Sequence, residues 1–156
     1  TERVRARHGG TNTVKADKEE VDRMKRGQGD LVIGSTDRGT RTGDVANKIG
    51  TYVKELAEQD NNVPFWVAVP STTIDWTVAN GVTEIPLEER AASEITHVAG
   101  RGENGVQTRV QITPDGSPAA NPAFDVTPAR LVTGLITERG CCPATEAGLR
   151  TLFPEQ

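Results

Sequence analysis

Two hydrophobic rhythms divide this chain. Leu31, Val32 and Ile33 form a short apolar run between Asp30 and Gly34. Its β-branched content and flanking glycines predict a buried strand over residues 30–34. From Asp44 to Glu58 the pattern changes. Val45, Ile49, Tyr52, Val53 and Leu56 recur on one face of a 3.6-residue period, which predicts a helix over 44–58. Asn61-Asn62 ends it, and Pro64-Phe65-Trp66-Val67-Ala68-Val69 reads as a second buried strand. Two apolar strands joined by a helix make a βαβ unit, which implies a parallel sheet with a right-handed crossover.

The rest is less regular. Residues 1–12 are polar and read as a loosely held leading segment. Residues 17–26 predict a short charged helix anchored by Val21 and Met24. Residues 70–86 are loop-rich, and a short acidic helix is predicted to begin over 86–94. Val106, Thr108, Val110 and Ile112 alternate with polar residues as in a half-exposed strand, followed by the turn Thr113-Pro114-Asp115-Gly116. Thr127 and Pro128 suit an N-cap and a first helical position. Leu131, Val132, Leu135 and Ile136 then predict a helical stripe, with Gly140 as its stop. Residues 144–153 predict a terminal helix.

Length and composition fit one soluble domain: 156 residues, 35% apolar and 26% charged, enough to bury a core. A formal net charge of −4 disfavours nucleic acid as a partner. No apolar run approaches a membrane span, and Thr1 to Gly10 lacks the apolar core of a leader. The two cysteines, Cys141 and Cys142, are adjacent, so no disulfide framework is expected and a reduced, cytoplasmic setting is the simplest reading. They read as small buried hydrophobes at a helix end. His8 and His97 lack metal-ligand spacing, so no metal is expected. Without a glycine-rich nucleotide fingerprint or a Walker loop, no nucleotide cofactor is expected either.

The chemistry-bearing groups gather between the two strands. Asp37 follows the first strand, where open α/β sheets bind ligands. A carboxyl partly desolvated there can serve as a general acid; the alternative is a turn cap or an ion pair with Arg38 or Arg41. Asn47 and Lys48, one turn into the predicted helix, can bond a sugar hydroxyl and neutralise a phosphate, aided by the helix N-terminus and by close approach at Gly43. The alternative is an ordinary Asp44–Lys48 pair at i, i+4 on a solvated helix face. Ser71, Thr72 and Thr73 suit loop backbone better than nucleophilic catalysis. Residues 121–128 read as a rigid loop packing Phe124 into the core, or as a wall of the site.

Four separated motifs in order carry a resemblance: Gly43-Asp44-Val45-Ala46-Asn47-Lys48-Ile49-Gly50-Thr51-Tyr52, Val69-Pro70-Ser71-Thr72-Thr73-Ile74-Asp75, Asn121-Pro122-Ala123-Phe124-Asp125-Val126-Thr127-Pro128 and Ile136-Thr137-Glu138-Arg139-Gly140. Together they resemble the methylthioribose-1-phosphate isomerase family, which also holds the regulatory alpha, beta and delta subunits of translation initiation factor 2B. The resemblance implies an α/β fold with a Rossmann-like parallel sheet flanked by helices. It implies residues 30–156 as the C-terminal catalytic domain of a longer enzyme, with 1–29 a loosely matching leading segment. It further implies conversion of 5-methylthioribose 1-phosphate to 5-methylthioribulose 1-phosphate in methionine salvage, by a dimer. Asp37 falls on the family's proton donor, and Asn47 and Lys48 fall on its substrate-binding pair. The second catalytic residue, a cysteine, belongs to an N-terminal half not present here; Cys141 and Cys142 lie in a different motif and do not take its role. Sibling isomerases of ribose 1,5-bisphosphate or 5-deoxyribose 1-phosphate, and a non-catalytic translation-factor module, are the competing implications.

Overall fold

Two glycines decide the local structure that the hydrophobic pattern misreads. Gly43 (φ 95°) and Gly50 (φ 100°) both lie in the left-handed region, which no helix can pass through. In the computed structural model, which describes residues 21–156, the segment between them is a strand. The order of elements is β1 (Val32–Ser35), β2 (Arg38–Thr40), β3 (Val45–Lys48), α1 (Thr51–Asp60), β4 (Phe65–Ala68), β5 (Ile74–Asp75), α2 (Gly81–Glu84), α3 (Ser93–Thr96), β6 (His97–Arg101), β7 (Gln107–Gln111), β8 (Phe124–Thr127), β9 (Gly134–Thr137), β10 (Gly140–Cys142) and α4 (Glu146–Leu152). The predicted leading segment and the start of the charged helix lie outside the described residues; residues 21–25 are helical.

The fold is α/β, with mixed sheets flanked by helices. One sheet has the order β1-β4-β9-β10, and a second has β5-β2-β3-β8. In the first, β1, β4 and β9 run parallel, with Val32 opposite Phe65 and Trp66 opposite Gly134. The predicted βαβ unit is therefore present, with the β2–β3 hairpin inserted before its helix. Aromatic rings explain two glycines here. A Cβ on Gly34 would meet the Phe65 ring at 2.8 Å, and one on Gly134 would meet the Trp66 ring at 2.5 Å. The core gathers Phe65, Val67 and Leu135 from the strands with Leu149 and Phe153 from the C-terminal end.

Several expectations are corrected. The first strand is not buried: every second residue faces out, and Ile33 is 56% exposed. Leu135 and Ile136 lie on β9 rather than on a helix, after a single 3-10 turn at Ala129–Leu131. A short apolar run is ambiguous by period, and pairing on both sides settles it as a strand. Gly140 (φ 127°) turns the β9–β10 hairpin instead of ending a helix. Cys141 and Cys142 consequently sit on a strand, the first exposed and the second buried. No helix covers 86–92; the four-residue α3 begins at Ser93.

By contact density the chain divides into residues 21–85 with 125–156, and residues 86–124. The smaller unit is built on the antiparallel β6–β7 ribbon. Val106, Val110 and Ile112 alternate as expected, but β7 is exposed on both faces. Phe124 is half-buried, and Ala123 is the residue of that loop that is sealed.

Helix α1 turns its predicted face outward. Val53 is 63% exposed, with Ile49 and Leu56 also exposed, while Thr51, Glu55 and Glu58 are buried. Glu55 is 1% exposed, and burial pushes its carboxyl from the ordinary 4.5 up to about 7. The neighbouring Thr127 hydroxyl offsets part of that cost without reaching hydrogen-bond geometry, and the charge of Asp125 adds to it.

Asp44 is the other polar anchor. Its Oδ2 accepts the Gly81 N–H that opens α2 (2.9 Å), and its Oδ1 accepts the Ala129 N–H that opens the 3-10 turn (2.8 Å).

Two stability predictions follow from these carboxyls. A raised folded-state pKa means that the folded chain binds the Glu55 proton more tightly than the unfolded chain. The resulting stability is present below about pH 4.5 and is lost as pH rises through about 7. Glu55→Gln should therefore match the parent near pH 4.5 and gain roughly 1–3 kcal/mol on it by pH 8 in urea unfolding; equal differences at both pH values would refute this. Asp44→Ala orphans two N–H groups and should cost about 2–4 kcal/mol, with Asp44→Asn intermediate.

Candidate functional site

The site is built at the carboxyl end of β1. Thr36, the residue after the strand, is buried, and its hydroxyl oxygen lies 2.7 Å from the Ala46 carbonyl and 2.8 Å from the Arg38 carbonyl, which share its one proton. The Asp37 N–H donates to the same Ala46 carbonyl at 3.0 Å. The Asp37 N–H and the preceding side chain are thus both tied to one carbonyl of β3. Arg38 pairs with Ala46 and Gly39 with Val45 in the antiparallel β2–β3 register. Asp37 lies in the bend just before β2, and its bond to the Ala46 carbonyl holds its backbone against the peptide that joins Ala46 to Asn47. Lys48 follows on the same strand and is exposed; Asn47 is half-buried.

Asp37 follows β1 as expected, while Asn47 and Lys48 lie on a strand of the β2–β3 hairpin rather than in a helix, and the Asp37 N–H bond to Ala46 brings the two stretches of backbone together. The Asp44–Lys48 helix pair does not exist, because both residues precede Gly50. The desolvated setting expected for Asp37 is absent among the described residues: its side chain is exposed. Nor does Arg41 take it as a partner, since that guanidinium faces Glu146 at 3.7 Å. Arg38 lies close enough to Asp75 to help hold that carboxylate below its usual range, after the larger effect of the Thr77 hydroxyl and N–H.

The other parallel strands end at the same edge. Ser71, after β4, donates its N–H to Glu138 Oε2 at 3.0 Å, and its bonds hold the Glu138 carboxylate below the ordinary range. Thr73 donates to the Pro70 carbonyl at 2.9 Å, the loop-backbone role expected of it. A cavity of about 320 Å³ lined by Gln59, Asn62, Val63, Arg130 and Thr133 lies instead beside Pro64, at the opposite end of β4. No residue of the Asp37–Asn47–Lys48 group lines this open cleft, so the candidate chemistry and the cleft do not coincide.

The helix N-terminus expected to receive an anion already has one. Asp125 of β8 accepts the Gly50 N–H through Oδ2 (2.7 Å) and the Tyr52 N–H through Oδ1 (3.2 Å). Burial raises the Asp125 pKa, and those two N–H bonds oppose the rise. Sequence reasoning missed Thr36 and Asp125 as parts of the site. The available signal was Gly50, a glycine N-cap with no side chain to cap its own helix.

The profile of the initiation factor 2 subunit family matches residues 20–144. Methylthioribose-1-phosphate isomerase of Gluconobacter oxydans is 64% identical over 149 residues, covering 96% of this chain and 40% of its own length. The enzyme of the same name from Paramagnetospirillum magneticum is 62% identical, with 96% and 41% covered. The chain thus spans about two-fifths of the curated relatives it matches. Among solved structures, 5-methylthioribose 1-phosphate isomerase from Pyrococcus horikoshii is 36% identical with a TM-score of 0.74, covering 90% of this chain and 36% of that one. The delta subunit of translation initiation factor eIF-2B from A. fulgidus also scores 0.74, at 35% identity, with 88% and 37% covered. With the profile spanning most of its length, and with relatives this similar along nearly all of it, the chain belongs to the initiation factor 2 subunit family.

Proposed function

We propose that this chain is the C-terminal part of an aldose–ketose isomerase acting on 5-methylthioribose 1-phosphate. One observation carries the reading: the Asp37 N–H bonds the peptide that joins Ala46 to Asn47, with Lys48 next on the strand, in a chain 64% identical to an enzyme of that name. Residues 30–156 form its catalytic domain, with 1–29 leading into it. The parallel β1-β4-β9 run supports a Rossmann-like sheet, completed by strands of the longer protein. The complete enzyme is a cytoplasmic dimer that needs no metal or organic cofactor.

The substrate's C1 hydroxyl is blocked by phosphate, so ring opening to a free aldehyde is closed to it. Asp37 donates a proton to the ring oxygen as the bond from that oxygen to C1 breaks. Hydrogen then passes from C2 to C1, either as a hydride or by removal and return of a proton. Loss of the C2 hydroxyl proton leaves the ketone. Asn47 bonds a sugar hydroxyl, and Lys48 neutralises phosphate charge. Asp37 is exposed here. In the complete enzyme a cover over it excludes water and strengthens these interactions. The group that handles the C2 hydrogen comes from the remainder of the protein.

A second reading has its own support in the eIF-2B delta subunit, which matches as well in fold. An Asp-Asn-Lys group at a strand end has no use in a scaffold, which favours the isomerase.

This chain alone should show no turnover, and adding the portion of the Gluconobacter oxydans relative that it does not span should restore it. In the complete enzyme, Asp37→Asn should lower kcat by at least about 10²-fold. Normal turnover by that variant would remove Asp37 from the mechanism. A panel with ribose 1,5-bisphosphate and 5-deoxyribose 1-phosphate separates the sibling activities. Binding to a guanine-nucleotide exchange assembly without any sugar-phosphate binding would favour the scaffold.

A further inference from the structure

We propose that Asp125 is a positioning residue that fixes Asn47 and Lys48 for substrate by clamping the strand-to-helix joint that follows them. This rests on the reading of Asn47 and Lys48 as substrate contacts.

The joint is weak by its own chemistry. Gly50 supplies the N-cap of α1, with φ 100° and no side chain, so the helix begins without a local acceptor. A glycine in that position is also the most mobile link available between β3 and α1. Asp125 removes both weaknesses at once. Its two oxygens take the N–H groups of Gly50 and Tyr52, from 75 and 73 residues away in sequence. Meanwhile the Thr51 hydroxyl donates to the Lys48 carbonyl at 2.7 Å, tying the first turn of the helix back to the strand end. Asp125 lies on β8, the strand next to β3 in the same sheet. The clamp therefore refers the joint to the sheet that carries Asn47 and Lys48, rather than to a separate loop. The carboxylate also fills the positive end of α1, so substrate phosphate must find its countercharge in side chains such as Lys48.

The test uses the complete enzyme and the variants Asp125→Ala, Asp125→Asn, Asn47→Ala and Lys48→Ala, with the double variant Asp125→Ala/Asn47→Ala. Asp125→Ala should lower kcat/KM by up to about 10²-fold, mostly through KM, without moving the pH profile of kcat. Asp125→Asn keeps one acceptor and should recover part of the loss, and it serves if the alanine variant folds poorly. The double variant should be little worse than Asn47→Ala alone, because both act through one contact. Additive losses, or a lowered Tm with kcat and KM unchanged, would overturn the proposal. If Asn47→Ala and Lys48→Ala leave KM untouched, it is the assignment of substrate contacts that fails. If they raise KM while both Asp125 variants do not, the positioning role alone fails.

Discussion

The structure around the site depends on two left-handed glycines. Gly43 and Gly50 are seven residues apart, and each has a φ near 100° that breaks any helix. Between them the chain can only extend, so Val45–Lys48 becomes a strand and pairs with β2. The first glycine is further constrained by packing. A Cβ at Gly43 would meet the Ala144 backbone at 2.5 Å, so the turn lies flush against the segment leading into α4. Without that hairpin, the Asp37 N–H would have no Ala46 carbonyl to bond. The backbone conformation of two residues without side chains is thus what brings the stretch at Asp37 to the strand that carries Asn47 and Lys48.

Short elements bounded by such turns leave their first N–H groups without partners, and two aspartates make good the loss from a distance. Asp44 serves α2 and the 3-10 turn after β8; Asp125 serves α1. Each takes two N–H groups through its two oxygens, and each joins segments far apart in sequence. This arrangement explains how so many elements of four residues or fewer hold a defined geometry. An element this short has no cooperativity of its own. Its ends are fixed by groups that belong to other elements.

The fold was partly legible in the sequence. The two buried-strand signals at 31–33 and 64–69 and the helix between them did form a parallel unit. The helical period over 44–58 misled because Val45 and Ile49 fit it by spacing while Gly50 forbids it by conformation. Likewise Leu131, Val132, Leu135 and Ile136 match a helical stripe, yet Gly134 packs under the Trp66 ring and β9 pairs with β4 and β10. Spacing is local, and strand pairing is not, so the tertiary contact prevails. Asp37 was legible as an acid after a strand, whereas Asn47 and Lys48 were read into a helix and lie on β3. The roles of Thr36 and Asp125 were not legible, because Thr36 finds its partners only once β2 and β3 pair, and Asp125 finds its own only once β8 lies beside β3.

Helix α1 inverts the usual arrangement, and the inversion has a physical reading. A helix alone on a sheet buries its apolar stripe. Here Val53 and Leu56 face outward, with exposed Ile49 just ahead of the helix, while Glu55 and Glu58 face inward. A buried carboxyl is tolerable when it keeps its proton, as the upward shift of Glu55 allows near neutral pH. The outward stripe has no such compensation among the described residues. Ile33 on β1 adds to the exposed apolar surface, on a sheet whose parallel strands ordinarily have both faces covered. Both features support the reading of this chain as one part of a larger protein, the same reading that the two-fifths coverage of its relatives supports. Covering the outward side of α1 would also confine the helix whose first turn Asp125 holds, and with it the strand that carries Asn47 and Lys48.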